Sequence, residues 1–361
     1  MPARTVDGNG FAALGRWIAS VKHGLSLAQR RLESEVLTFI SNRSLFNWNF
    51  YFVFGRTSDD MKREISATLR SILADTGKEI EQDKSRNSAG RLKEMIRDAG
   101  PILSFSSALS AGNALIAEIK ERSPSQGKMR PENVAEAVRA YKESPVVRGI
   151  SVLTSWMNFG AGMRIEMMAR TKAQTSKPVL RKDFIIEEYQ IYQARVHGAD
   201  AILLMANILE AEELRRLSDL AFELGMDVLF ETHRAAELDD LPKTAKIIGI
   251  NSRNFEGGLR RSNFKLARFL RQWLGTARDH SIHTERFAYV KDLPAHVIKV
   301  AESGVSSRNC REVFGLGFHS ILVGTSLLMD PRGVRAALHD FEVAMQGRTP
   351  NFQQFMHANS T

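Results

Sequence analysis

The chain has 361 residues, 43% hydrophobic and 25% charged, with a formal net charge of +9 and an isoelectric point near 9.7. That length and balance suit a large α/β barrel with an added segment, and no run approaches the ~20 apolar residues of a membrane span. One cysteine, Cys310, excludes an internal disulfide and a cysteine zinc cluster, and it reads as a small packing residue.

The positive charge is local. Residues 253–291 hold nine Lys/Arg against three Asp/Glu, without a zinc finger or an RNA-binding aromatic motif. The stretch reads as a solvated basic surface. An anionic small molecule is the expected partner, with no nucleic acid and no membrane. The N-terminus lacks a compact charged-then-apolar signal, which favours a cytoplasmic location. The acid-poor, Arg-containing residues 1–31 leave organellar targeting open.

Residues 1–60 stand apart as an extension. Within them, 11–37 alternate apolar and basic residues at helical spacing, and 45–55 (LFNWNFYFVFG) are dense in aromatics. Two readings fit: a flap packing on the main domain, or a surface for a partner or for self-association. Residues 61–113 form a helical lead-in, with helices over 61–83 and 88–99 and a polar–apolar stretch at 101–110.

From Leu115 a rhythm sets in. Apolar runs occupy 115–120, 147–154, 178–184, 201–206, 227–233, 246–253, 297–304 and 320–328. Helical patterns alternate with them at 132–143, 161–175, 188–197, 210–224, 235–241, 262–274 and 307–316, and 330–345 closes the series. Strand and helix in strict alternation mean parallel strands joined by right-handed crossovers, and eight units match a (β/α)8 TIM barrel over 114–345. A doubly wound open sheet competes, but its glycine-rich turn after the first strand is absent. Residues 275–294 read as an insertion or long loop, and 346–361 as a tail.

Barrel enzymes carry their chemistry at the C-terminal ends of strands. Strand one ends in Glu118 and Lys120, two apart and so on one face, where burial of unpaired charge costs several kcal/mol. Lys182 and Asp183 end strand three, Glu231 and His233 strand five, Asn251 and Arg253 strand six, Glu302 and Ser303 strand seven. Gly304 on strand seven and Gly324, Thr325 and Ser326 on strand eight suggest a phosphate cradle of backbone N–H groups. The plainer alternatives are a structural ion pair at Glu118–Lys120, a surface ion pair at Lys182–Asp183, and glycines that end strands for steric reasons.

The runs AEIKERSPSQG, SVLT, PVLRKDFIIEEYQIYQARVHGADAILL, GMDVLFETH, IGINSRNF and AESGVSS resemble the indole-3-glycerol-phosphate synthase family of tryptophan biosynthesis. The resemblance covers about residues 61–345. It implies a (β/α)8 barrel with an N-terminal helical extension, acting as a carbon–carbon lyase without metal or cofactor. The implied substrate is 1-(2-carboxyphenylamino)-1-deoxyribulose 5-phosphate, converted to indole-3-glycerol phosphate, carbon dioxide and water.

The resemblance implies Lys182 as general acid, Glu231 as general base, and Lys120 as partner of the substrate carboxylate, with Glu118 and Asn251 beside them. It implies Arg253, Glu302 and Ser303 at the substrate, Phe184 and Phe159 as aromatic walls, and Arg122, Ser123, Gly304, Gly324, Thr325 and Ser326 at the phosphate. A lysine acid is expected to have its pKa lowered by burial and by Lys120. The chain departs from the family's pattern at Ser155 and Trp156, where an acidic residue is more usual. A related isomerase would need an early cysteine, which Cys310 is not. A Schiff-base aldolase using Lys182 and a non-catalytic scaffold are the other readings.

Overall fold

The computed structural model describes residues 67–110, 112–123, 126–253 and 287–346. The expected features at 1–60, the helix at 262–274, most of 275–294 and nearly all of the tail lie outside the described residues. Those described form a closed barrel of eight parallel strands. They are β1 Ala114–Ile119, β2 Val147–Leu153, β3 Val179–Lys182, β4 Ala201–Met205, β5 Asp227–Thr232, β6 Ile247–Asn251, β7 Ile298–Glu302 and β8 Ser320–Val323. The ring closes where Ala114 of β1 pairs with Ser320 of β8.

Strands buried on both faces read as unbroken apolar runs, as AILLM does, because one face packs inside the barrel and the other against helices. The helices bury apolar stripes: Leu214, Leu217 and Ala221 of the helix Ala211–Glu223, and Ala337, Leu338 and Phe341 of the helix Val334–Met345. Two expectations shift. Residues 235–241 form a 3-10 helix, Ala235–Asp240, and the last helix starts at Val334 because Gly333, at φ 100°, sets its N-cap. Of the expected insertion, the described end is a 3-10 helix, Ala288–Asp292, with Phe287 packed edge-on against Phe318 at 5.0 Å.

The lead-in holds more structure than its sequence suggests. Helix α1 (Ala67–Arg86) and helix α2 (Ala89–Met95) pack through Ile80 and Leu92 on Tyr189 and Tyr192 of helix Glu188–Val196. The stretch at 101–110 contains helix α3, Phe105–Leu109. Its Phe105 is fully buried against Gly149 of β2, where a Cβ would come within 2.6 Å of the ring. Backbone N–H groups of Leu103 and Ser106 donate to the carboxylates of Asp200 and Asp227, which precede or begin β4 and β5. Among the described residues no helix is long and apolar enough to cross a membrane.

Candidate active site

Alternation along β1 turns Ala117 and Ile119 one way and Glu118 and Lys120 the other. Lys120 donates to Glu118 in a buried ion pair. Gly324, at the end of the neighbouring β8, makes room for it. A Cβ there would collide with Glu118 Oε2 and lie 3.0 Å from Lys120 Nζ, so this glycine has a steric reason whatever it binds.

On β3 the same alternation separates neighbours. Lys182 enters the barrel, while Arg181 and Asp183 share the opposite face and pair at 2.8 Å. Asp183 also accepts from Thr154 Oγ1 at 2.6 Å and from the backbone N–H of Phe184 at 2.8 Å. The alternative of a surface Lys182–Asp183 pair is therefore wrong: Asp183 is buried, and its partner is Arg181.

Lys182 Nζ lies 3.0 Å from Glu231 Oε2 and 3.4 Å from Glu302 Oε2. Asn251 Nδ2 donates to the other Glu231 oxygen at 3.0 Å, and the backbone N–H of Arg253 donates to Asn251 Oδ1 at 2.9 Å. The registers Glu231↔Gly249 and Asn251↔Glu302 set Asn251 opposite Glu302 and Glu231 two residues behind them, on three adjacent strands. Gly249 was not anticipated. A Cβ there would collide with Glu302 Oε1, and a glycine inside the apolar run IIGIN was the available signal.

Burial pushes the Glu231 carboxyl up, but Lys182, His233 and the Asn251 bond outweigh it and hold it down to about 2. Glu302 goes the other way: burial, then the Glu231 charge, raise it well above the carboxylate range. Its oxygens have no hydrogen-bond partner among the described residues, although Lys182 approaches one of them. Burial opposes the Lys182 charge, yet Glu231, Glu302 and Glu118 together raise its pKa. The expected lowering of Lys182 is thus corrected, because three carboxyl groups surround it. Burial lowers Lys120 against the pull of Glu118, and Glu118, also opposed by burial, is held down by Lys120 and then Lys182. His233, whose Nε2 is 3.4 Å from Glu231, is lowered first by burial.

At the far side of the mouth Ser303 and Gly304 have φ of 66° and 72°. The first is an uncommon conformation for a residue with a Cβ, of order 1–3 kcal/mol, and such strain gathers at functional sites. Ser252 Oγ donates to Ser303 O at 3.0 Å, Asn309 Nδ2 to Gly304 O at 3.0 Å, and Ser326 Oγ to Val305 O at 2.9 Å. Gly324 is the N-cap of a four-residue helix, Thr325–Leu328.

Most of these groups line one cavity at the mouth of the barrel, with Phe159 and Phe184 as a stacked wall 6.2 Å apart. Fourteen of the sixteen sequence-derived site residues are in its lining. Arg122 and Ser123 are not. They sit on a two-stranded hairpin with Gly127 and Lys128, Arg122 exposed and Ser123 accepting from the Gln126 N–H at 3.1 Å. Asp183 also borders it, and Leu153, Leu203, Met205, Val305, Leu322 and Val323 complete the lining; these six were missed, since inward apolar residues carry no signal beyond alternation.

The model of the family described as indole-3-glycerol phosphate synthase matches residues 69–259. The chain belongs to that family. The Neisseria meningitidis serogroup B indole-3-glycerol phosphate synthase is 42% identical over 193 residues, covering 52% of this chain and 73% of that protein. The Bacteroides thetaiotaomicron protein of the same name is 34% identical over 270 residues, covering 73% and 94%. One from Mycobacterium sp. strain KMS is 34% identical over 283 residues, covering 76% and 94%. The span matched by the indole-3-glycerol phosphate synthase model holds Glu118, Lys120, Lys182, Glu231, Asn251 and Arg253. Glu302 to Ser326 lie beyond it and reach the same cavity through barrel closure.

Proposed function

We propose that the chain is an indole-3-glycerol phosphate synthase, closing, decarboxylating and dehydrating 1-(2-carboxyphenylamino)-1-deoxyribulose 5-phosphate. One observation carries the residue assignments: Lys182 stands 3.0 Å from Glu231 and 3.4 Å from Glu302, which joins a proton donor and a proton acceptor in one cavity. Lys182 is the acid. As the ring carbon bearing the carboxylate attacks the ketone, negative charge grows on the ketone oxygen, and the ammonium gives it a proton. An alkoxide is more basic than an amine, so a lysine with a raised pKa still transfers its proton downhill.

Loss of carbon dioxide then restores the aromatic ring. Glu231, held ionised by Lys182, takes a proton from the methylene carbon beside the ring nitrogen, while the new hydroxyl, given a proton by Lys182 once solvent has recharged it, leaves as water. Lys120 and Arg253 meet the substrate's carboxylate and its approaching negative charge, Phe159 and Phe184 take the aromatic ring, and the Ser303–Gly304 and Gly324–Ser326 backbone takes the phosphate. Glu302 accepts a substrate hydroxyl or offers its proton, which suits a buried carboxyl whose oxygens have no hydrogen-bond partner among the described residues. Arg122 and Ser123, outside the lining, contribute only if the hairpin moves over the phosphate. The barrel works in a water-filled compartment, the cytoplasm in this reading, and residues 1–60 serve in association with a partner or a second copy. Purified chain given the carboxyphenylamino ketose phosphate is expected to generate indole fluorescence. Silence from folded protein contradicts the proposal.

A further inference from the structure

One buried carboxyl has no part in the chemistry above. Glu79 stands on α1 and is only 5% exposed. A carboxylate is strongly disfavoured in such a place unless it is hydrogen-bonded, and its bonds are specific. Oε1 accepts from the backbone N–H of Met157 at 2.7 Å and from the Ser155 hydroxyl at 3.4 Å. Both donors belong to the segment after β2 that becomes the single-turn helix Trp156–Phe159. The last residue of that turn is the aromatic wall of the cavity.

The segment is also held from the other side. Glu121, next to Lys120, accepts from the Gly162 N–H at 3.1 Å, and its side chain occupies the space that a Cβ at Gly160 or Gly162 would need. Phe159 therefore sits between two carboxylate anchors, one from the lead-in and one from the loop after β1.

We infer that Glu79 is a positioning residue of the active site, which fixes Phe159, and hence the seat of the substrate's aromatic ring, by holding Met157 and Ser155. The inference rests on the proposed function, since it takes the wall at Phe159 to receive that ring. Glu79 touches no substrate itself. The groups facing it are Asp183 and Arg181 from the end of β3, Arg164 from the head of helix Ile165–Gln174, and Asp83 on its own helix. Arg164 is stacked over Trp156 at 3.7 Å, and Arg181 is engaged with Asp183. Burial, and then the Asp183 charge, push Glu79 up to about 7, against the bonds from Met157 and Ser155 and the pull of Arg181. Its charge thus changes near neutral pH. An ionised acceptor bonds a backbone N–H more strongly than a neutral one, so the hold on the segment tightens as pH rises through that value.

Steady-state kinetics of the full chain with the carboxyphenylamino substrate test this, using wild type, Glu79→Ala and Glu79→Gln at about pH 6 and about pH 8. Glu79→Ala is expected to raise KM about tenfold while kcat falls less than about threefold, because a displaced wall loosens ground-state fit. Glu79→Gln keeps the acceptor without the charge. Its KM should match wild type within about twofold at the lower pH and exceed it by about fivefold at the higher. A Glu79→Ala variant with wild-type KM overturns the inference, as does a kcat loss with unchanged KM in both variants. If Glu79→Ala does not fold, the glutamine variant decides: a KM ratio to wild type that is the same at both pH values overturns it. A wild-type chain that turns nothing over removes the proposed function and this inference with it. An active wild type beside an unchanged Glu79→Ala removes the inference alone.

Discussion

Replacing Lys182 by methionine keeps the side chain's reach and removes its charge. Its Nζ is 3.0 Å from Glu231 Oε2, and at an effective dielectric of about 20 that attraction is worth roughly 5 kcal/mol. At ~1.4 kcal/mol per unit this is nearly four pKa units, so Glu231, held down to about 2 beside lysine, rises to about 6 beside methionine. Linkage gives opposite signs in the two proteins. In the wild type the folded pKa lies below the unfolded value of ~4.3, so the contribution is present above that value and is lost as pH falls through the folded one. In the variant the folded pKa is the higher, so stability is greatest in acid and is lost as pH rises through about 6. The loss is about 1.3 kcal/mol, or on the order of 3 °C in Tm, between about pH 5 and pH 8. Thermal unfolding by circular dichroism across that window reads it as a widening gap between variant and wild type. Parallel curves would refute the claim that Lys182 governs the charge of Glu231.

Three further substitutions probe how the site is built. Gly249→Ala forces the Glu302 carboxyl aside, and kcat is expected to fall by about tenfold or more with a Tm loss of a few degrees; unchanged kcat contradicts the placement of Glu302. Gly324→Ala meets the Glu118–Lys120 pair, so KM should rise by about tenfold, and a wild-type KM would show that the pair can shift freely. Phe105→Ala opens a fully buried site near the N-terminal end of the barrel, away from the mouth. It should cost about 3–5 kcal/mol in denaturant unfolding and leave kcat near wild type, whereas a large kcat loss would couple the two ends.

The barrel was legible because parallel strands buried on both faces leave continuous apolar runs, and because charged residues stand out at their ends. Glu118 and Lys120 were visible as a pair two apart, and the structure adds the glycine that accommodates them. What the sequence hid depends on contacts across the chain. The neighbours of Lys182 come from β5 and β7, so no reading of RKDF could give the direction of its pKa shift. Asp183 looked like its partner by adjacency, yet alternation sends the two side chains to opposite faces. Gly249 is needed because of a side chain 53 positions later, on a neighbouring strand. Glu79 lay in an ordinary helical pattern whose inward side only the packing of α1 defines. The resemblance put Arg122 and Ser123 at the phosphate, but the chain forms a hairpin there and the two residues lie outside the cavity lining.

The division of labour between Lys182 and Glu231 is tested most directly by a single turnover with mass detection, comparing wild type with Glu231→Gln and Lys182→Ala. The mechanism predicts indole-3-glycerol phosphate from the wild type, no closure in Lys182→Ala, and in Glu231→Gln a decarboxylated species heavier than the product by one water. Product formed by Glu231→Gln at the wild-type rate, or closure by Lys182→Ala, would contradict it.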